Sequence, residues 1–228
     1  MLRFRKAICF LMVVCLSFSC ESQAKKLPYN DFLETVIQHQ KHLQEQYSQA
    51  NSTEKQSIIA ETKDYLISLI TEQIFPYWYG TPWDFNGTTR EPGKGEIACG
   101  YFVTTVLEDV GFNIPRIKWA QSASEVFIVK LAPNNLKRFK DEKLTVLKKY
   151  LVENGDGLYL AGLDSHVGFV WVKGKKIYFV HANYYQAGKG VMKEKIETKN
   201  PLSDSHYVIF GKLLSDEMCV KWLSGEGY

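Results

Sequence analysis

The 228 residues predict an α+β domain, with helices leading and an antiparallel sheet following, the helices packed on the sheet. Three observations carry that expectation. Apolar residues recur at helical spacing through much of the first two thirds of the chain. After Asn154-Gly155-Asp156-Gly157 the pattern changes to short β-branched and aromatic runs separated by turn residues. A content of 45% hydrophobic and 14% aromatic residues suffices for one sizeable core, which excludes low-complexity disorder. Five cysteines without a C-x-x-C pair make no disulfide scaffold and give no reason to expect zinc. The formal charge of +3 resides in Arg3, Arg5 and Lys6; the rest of the chain balances 25 basic against 25 acidic side chains. Nothing electrostatic therefore points to nucleic acid as a partner.

The chain opens with a basic stretch, Met1–Lys6, and twelve mostly apolar residues, Ala7–Phe18. That run is too short to span a bilayer and fits a secretory leader over residues 1–19. It ends at Ser17-Phe18-Ser19-Cys20, which resembles a bacterial lipoprotein signal in which Cys20 becomes the lipidated first residue. Leu16 stands one place earlier than the usual Leu; ordinary cleavage near Ala24 is the alternative. Either way the chain is expected outside the cytoplasm.

Residues 20–75 read as an N-terminal helical region. Phe32, Leu33, Val36, Ile37, Leu43 and Tyr47 make one amphipathic helix over Asp31–Tyr47. Thr53-Glu54-Lys55-Gln56 has the pattern of a capping box and opens a second helix, expected to stop near Phe75-Pro76. Residues 76–228 form the expected catalytic domain. Tyr77–Ile97, with four Gly and two Pro, reads as a long functional loop. A helix follows from Gly100 to Val110 with Gly111 as its stop. Residues 122–153 read as two helical pieces divided at Pro133-Asn134-Asn135. Strands are expected at Leu158–Leu160, His166–Val172, Ile177–His181 and His206–Leu213, and Ser215 caps a final helix ending near Gly225.

Cys99 lies at the first turn of the Gly100–Val110 helix, where unpaired N–H groups and the helix dipole favour a thiolate. A sulfur nucleophile needs a base, and His166 and His181 are the candidates. A two- or four-residue loop around Lys173–Lys176 pairs Val172 with Ile177, and hence Gly168 with His181, leaving His166 on the same face; a three-residue loop would put His181 on the other face. Gly168 leaves room there for an imidazole. One histidine near Cys99 then takes its proton while the other orients that ring.

These residues also carry a resemblance. Gly80-Thr81-Pro82-Trp83-Asp84-Phe85-Asn86-Gly87 is similar to a G-T-P-Y-x-W-G-G pattern, and Cys99-Gly100-Tyr101-Phe102-Val103 to D-C-S-G-F-V. Gly155-Asp156 precedes a strand, His166-Val167-Gly168-Phe169-Val170 is similar to H-V-G-I-Y, and Val180-His181-Ala182 to I-H-A. In this order, over roughly residues 77–185, the set resembles the NlpC-type cell-wall cysteine peptidases, a papain-like family. The resemblance implies a papain-like fold with Cys99 as nucleophile at a helix N-terminus, His166 as general base and His181 as the polar third member, with no cofactor or metal. It also implies Trp83, Asp84, Phe85, Gly100, Tyr101 and Ser165 as substrate-binding residues, and a peptidoglycan stem peptide as substrate. The sequence departs from the pattern at Ala98, where many members carry Asp, at Gly100, where they carry Ser, and at Trp83, where a Tyr is usual. Ala98 cannot pair with an ammonium, so a free N-terminal amine on the substrate should bring no advantage unless Asp84 or Glu96 reaches in.

The expected function is thus a secreted, lipid-anchored cysteine hydrolase cleaving peptidoglycan amide bonds. The same triad also suits a papain-like acyltransferase or transglutaminase-like enzyme, and a degenerate scaffold would suit a non-catalytic envelope-binding lipoprotein. Other groups read as structural. Cys219 lies on an apolar stripe, His39 and His42 on a polar helix face with Glu45, and His206 at a strand edge. Gly93-Lys94-Gly95 lacks the spacing of a phosphate loop, and the basic run Lys137–Lys149 reads as a solvated helix face.

Overall fold

The computed structural model describes residues 26–228, so the leader and the lipidation expected at Cys20 lie outside the described residues. The architecture is α+β: six antiparallel strands in the order β1-β6-β2-β3-β4-β5, with helices on both faces. No helix among the described residues is long and apolar enough to cross a membrane.

Helix α1 spans Tyr29–Gln49 and α2 spans Ser52–Ser68. The capping box lies two residues ahead of the expected one. Asn51 is the N-cap, its Oδ1 accepting from the Thr53 and Glu54 N–H groups, while Glu54 Oε2 accepts from the Asn51 N–H at 2.9 Å. The helix also outruns its expected stop. Leu69–Ile74 widens into a π-helical segment, in which the Phe75 N–H reaches Ile70 O, before α3 (Phe75–Trp78). Pro76 has no N–H, and the local change of winding lets the chain pass it and bury Trp78.

Helix α4 spans Cys99–Asp109, and the short α5 (Arg116–Ala120) and α6 (Ser124–Leu131) follow. The second expected helical piece is corrected: its first part is a strand, β1 (Leu136–Lys140), and only Leu144–Glu153 is helix α7. β1 is an edge strand in which exposed Lys137, Arg138 and Lys140 surround a single buried residue, Phe139, a pattern that a helical reading of a basic run hides. The other strands are β2 (Gly157–Leu163), β3 (Val167–Lys173), β4 (Lys176–Ala182), β5 (Val191–Lys195) and β6 (Tyr207–Lys212); β5 has no counterpart in the sequence prediction. Helix α8 spans Asp216–Ser224 between the Ser215 cap and Gly225 in the left-handed conformation.

One face of the sheet presents Leu160, Phe169, Val180 and Ile209 to α4 and the other helices of the first half; the opposite face presents Tyr159, Val170, Phe179 and Phe210 to α7. Val36 and Leu43 of α1 and Ile59 and Leu66 of α2 belong to the same buried cluster as Phe102 of α4 and Trp222 of α8. Residues 29–75 therefore pack into the core that supports α4. A polar chain reinforces this: the Trp78 indole donates to Tyr29 Oη at 3.0 Å, and the Tyr29 hydroxyl donates to Asp109 Oδ2 at 2.6 Å.

Burial raises the Asp109 carboxyl to about 6, against the pull of the Tyr29 hydrogen bond. An acid whose folded pKa is raised binds its proton more tightly in the native state, so stability falls as pH rises from about 4 to about 6. Asp109→Asn keeps an acceptor for Tyr29 without the charge. Its Tm should exceed that of the wild type by a few degrees at pH 7.5 and equal it near pH 4, read by thermal unfolding at both values.

Candidate active site

The β3–β4 hairpin turns on Gly174-Lys175, with Gly174 at φ +59°. Val172 pairs with Ile177 and Phe169 with Val180, a register that sets Gly168 against His181. Any Cβ at Gly168 would stand 2.8 Å from His181 Cβ and 2.6 Å from the Phe179 ring, so the site requires glycine. His166, the residue before β3, then meets His181: Nε2 of the first lies 2.8 Å from Nδ1 of the second, with the rings nearly perpendicular at 85°. Both rings are buried, and His181 stacks on Phe179 at 4.2 Å. The other nitrogen of His181, Nε2, lies 2.8 Å from Glu194 Oε1 on β5, and Thr198 Oγ1 donates to Glu194 Oε2 at 2.6 Å.

Cys99 is the first residue of α4, and its N-cap, Ala98, offers no side-chain acceptor to the helix-start N–H groups. The helix comes close to α5 there. A Cβ at Gly100 would lie 2.4 Å from the Ala120 carbonyl oxygen, so the Ser of the resembling family would not fit this backbone. Burial pushes the Cys99 thiol up, although N–H groups of Val167, Gly100 and Cys99 itself pull it down. Burial, with His181 alongside, holds the His166 imidazole well below the ordinary range. Both shifts favour a neutral thiol beside a neutral imidazole. The helix start acts in the direction anticipated from the sequence, and desolvation opposes it.

Cys99 and His166 share the wall of a cavity of about 630 Å³. His166 Nδ1 is buried and has no hydrogen-bond partner among the described residues. Trp83, Phe85, Gly100, Tyr101 and Ser165, all named from the sequence, line the same cavity, together with Asn86, Gln121 and Tyr184. Asp84 does not: its Oδ1 accepts from the Asn86 N–H at 2.7 Å and closes a turn within the loop. Glu96 is exposed and also stands outside the lining, so among the described residues no Asp, Glu, Lys or Arg side chain lines this cavity. A second hollow of about 510 Å³ lies on the other side of Cys99 and His166, where Glu125, Asp164 and Tyr207 contribute.

Loop residues 79–98 are fastened at several points. Gly80 N–H donates to Val191 O and Val191 N–H to Thr81 O, tying the loop to β5. Buried Arg116 donates from Nε to Thr105 Oγ1 at 2.8 Å and from Nη2 to Thr88 O at 3.1 Å, with its guanidinium over the Tyr101 ring. Gln121 Nε2 donates to Tyr101 Oη at 3.0 Å. Arg116, Gln121, Tyr184 and Glu194 were not singled out in the sequence. The first three sit in or beside irregular segments, and Glu194 lies in a strand whose alternation of Lys and Glu reads as solvated surface. Of the groups set aside, Cys219 is buried in the core with its thiol raised to about 12 by burial, His39 stacks on Tyr65, and His206 is exposed beside Asp141. Among the described residues, no cluster of three or more His, Cys, Asp or Glu side chains surrounds a possible metal position.

Comparison with family models, curated proteins and solved structures finds no match for this chain. The reading of the site therefore rests on its own geometry.

Gly100 supplies a direct test of that geometry. Gly100→Ser should cost about 1–3 kcal/mol through the collision with the Ala120 backbone, seen as a Tm lowered by several degrees. It should also change the rate at which a thiol reagent modifies Cys99. An unchanged Tm and modification rate would show that α4 and α5 are not held as close as described.

Proposed function

We propose that this chain is a papain-like cysteine hydrolase of the NlpC type, secreted and lipid-anchored through Cys20, that cleaves amide bonds of peptidoglycan stem peptides. One observation carries the catalytic part: His166 lines the same cavity as Cys99, its Nε2 is engaged by His181, and its Nδ1 is buried and has no partner among the described residues. That is the arrangement a nucleophile–base–orienter set requires. Cys99 Sγ attacks the scissile carbonyl and its proton passes to His166 Nδ1. Collapse of the tetrahedral intermediate expels the amine, which takes that proton, and leaves a thioester. Water, deprotonated in turn by His166, releases the acid and restores the thiol. In this mechanism N–H groups at the start of α4 hold the oxyanion, and the indole N–H of Trp83, a lining residue, has no partner among the described residues and is a further candidate donor. Burial favours the neutral form of both groups, so in this mechanism the proton moves as attack proceeds.

The cavity lining also supports the expectation about specificity. Aromatic faces from Trp83, Phe85 and Tyr101 and neutral donors from Asn86 and Gln121 suit an uncharged peptide or sugar-linked segment. A substrate ammonium would find no carboxylate there. The preferred substrates are therefore uncut stem peptides or the bond joining peptide to sugar. Acyl transfer to an amine shares the first half-reaction, and the hollow carrying Glu125 and Asp164 is where a cationic acceptor would approach.

Mass spectrometry of muropeptides incubated with the wild type, Cys99→Ala and His166→Ala tests the chemistry. Either variant should lose several orders of magnitude in turnover, the double variant should be little worse, and His181→Ala should cost less. Full activity in Cys99→Ala would end this reading. Matched substrates with free and acetylated N-termini should react alike, and a strong preference for the free amine would overturn the specificity while sparing the catalytic assignment. Products made with and without added amine separate hydrolysis from transfer. The mature N-terminus should begin at a lipid-modified Cys20; an N-terminus at Ala24 or later would remove the anchor.

A further inference from the structure

We propose that Glu194 is a positioning residue that sets the tautomers of both histidines and thereby leaves the lone pair of His166 Nδ1 free to act as base. The proposal rests on the Cys99–His166 reading above.

The argument follows hydrogen-bond direction. Glu194 presents two oxygens with distinct partners: Oε2 accepts from the Thr198 hydroxyl at 2.6 Å, and Oε1 lies 2.8 Å from His181 Nε2. Burial opposes ionisation of this carboxyl, but the hydrogen bonds from His181 and Thr198 outweigh it and hold it below the ordinary carboxylate range. An ionised carboxylate can only accept. His181 must then carry its proton on Nε2, and as a neutral ring it has only a lone pair on Nδ1. That lone pair, 2.8 Å from His166 Nε2, can only accept, so the His166 proton lies on Nε2. His166 Nδ1 is left unprotonated, and it is the nitrogen without a partner among the described residues. A donor in place of Glu194 would reverse every bond in the row and put a proton on His166 Nδ1, where it would block the base.

Charge follows the same path. When His166 takes the Cys99 proton, the imidazolium faces a fixed negative charge through His181 rather than bare apolar surroundings. The other titratable groups facing this row are Cys99 from α4 and Tyr184 beyond β4, with Lys189 near Glu194. Glu194 does not line the cavity, so it acts through His181 and not on substrate. Its place is set by backbone register: Met192 pairs with His181 and Glu194 with Phe179, which brings the carboxylate diagonally under the ring.

The test uses the full described chain and no substrate, so it can fail independently of the proposed reaction. Long-range proton–nitrogen spectra of the ¹⁵N-labelled histidines should show His181 and His166 both protonated at Nε2 in the wild type. Iodoacetamide alkylation of Cys99, followed across pH, should slow by roughly tenfold or more at neutral pH in Glu194→Gln, with its midpoint moved upward. Glu194→Asp should recover part of the rate. A wild-type His181 protonated at Nδ1 would overturn the proposal even if the Gln variant failed to fold. So would a folded Glu194→Gln that kept the wild-type alkylation rate and midpoint, since its amide oxygen can still accept from His181 but it carries no charge. If tautomers and alkylation behave as expected while wall peptides remain uncut, the role of Glu194 stands and the proposed substrate falls.

Discussion

Two glycines remove the side chains that would push apart the elements carrying the candidate site. Gly100 lets the helix lie against the Ala120 carbonyl, and Gly168 leaves the space that the His181 imidazole fills. Both are close approaches of backbone or ring to backbone, where even one methyl group has nowhere to go. The thiol, the two rings and the cavity wall all take their positions from these contacts. The helices of the first half serve the same end, since Tyr29 and Trp78 grip the C-terminal end of α4 at Asp109 while its N-terminal end meets β3.

Two electrostatic forces of opposite sign meet at that point. Removing a thiol and an imidazole from water favours their uncharged forms. Fixed dipoles at the helix start favour a charged sulfur, and a carboxylate beyond the second ring favours a charged imidazole. Burial is the larger of the two at both the thiol and the first ring, and the dipoles and the carboxylate work against it. Arg116 shows the same economy in a structural setting: a buried guanidinium is tolerable because hydroxyl and carbonyl oxygens from α4 and the loop satisfy its donors, and it thereby fastens the loop that carries Trp83 and Phe85.

Much of this was legible in the chain itself. The α+β order, the hairpin register and the convergence of His166 and His181 follow from side-chain alternation and a two-residue turn, both local properties. The edge strand β1 was not legible, because Leu136–Lys140 sits inside a basic run whose charge hides a single buried Phe139. Strand β5 and Glu194 were hidden for a related reason: a short edge strand of Lys and Glu lacks an apolar face, and its pairing with β4 is a long-range fact. The continuation of α2 past Pro76 depends on a change of helical winding that composition does not record. Asp84 stands outside the cavity lining for a local reason: a carboxylate in a loop can serve its own backbone as readily as a ligand.

The open sheet has another property that follows from its order. Its outermost strands are β1 and β5, and both carry rows of cationic side chains: Lys137, Arg138 and Lys140 on one, Lys193 and Lys195 on the other. The loop at Gly80 and Thr81 further occupies the beginning of the β5 edge. Two copies meeting edge to edge would bring like charges together before any backbone bond could form. The sheet is thereby protected from adding strands from a neighbouring molecule, and the chain can be crowded on a surface without joining into ribbons.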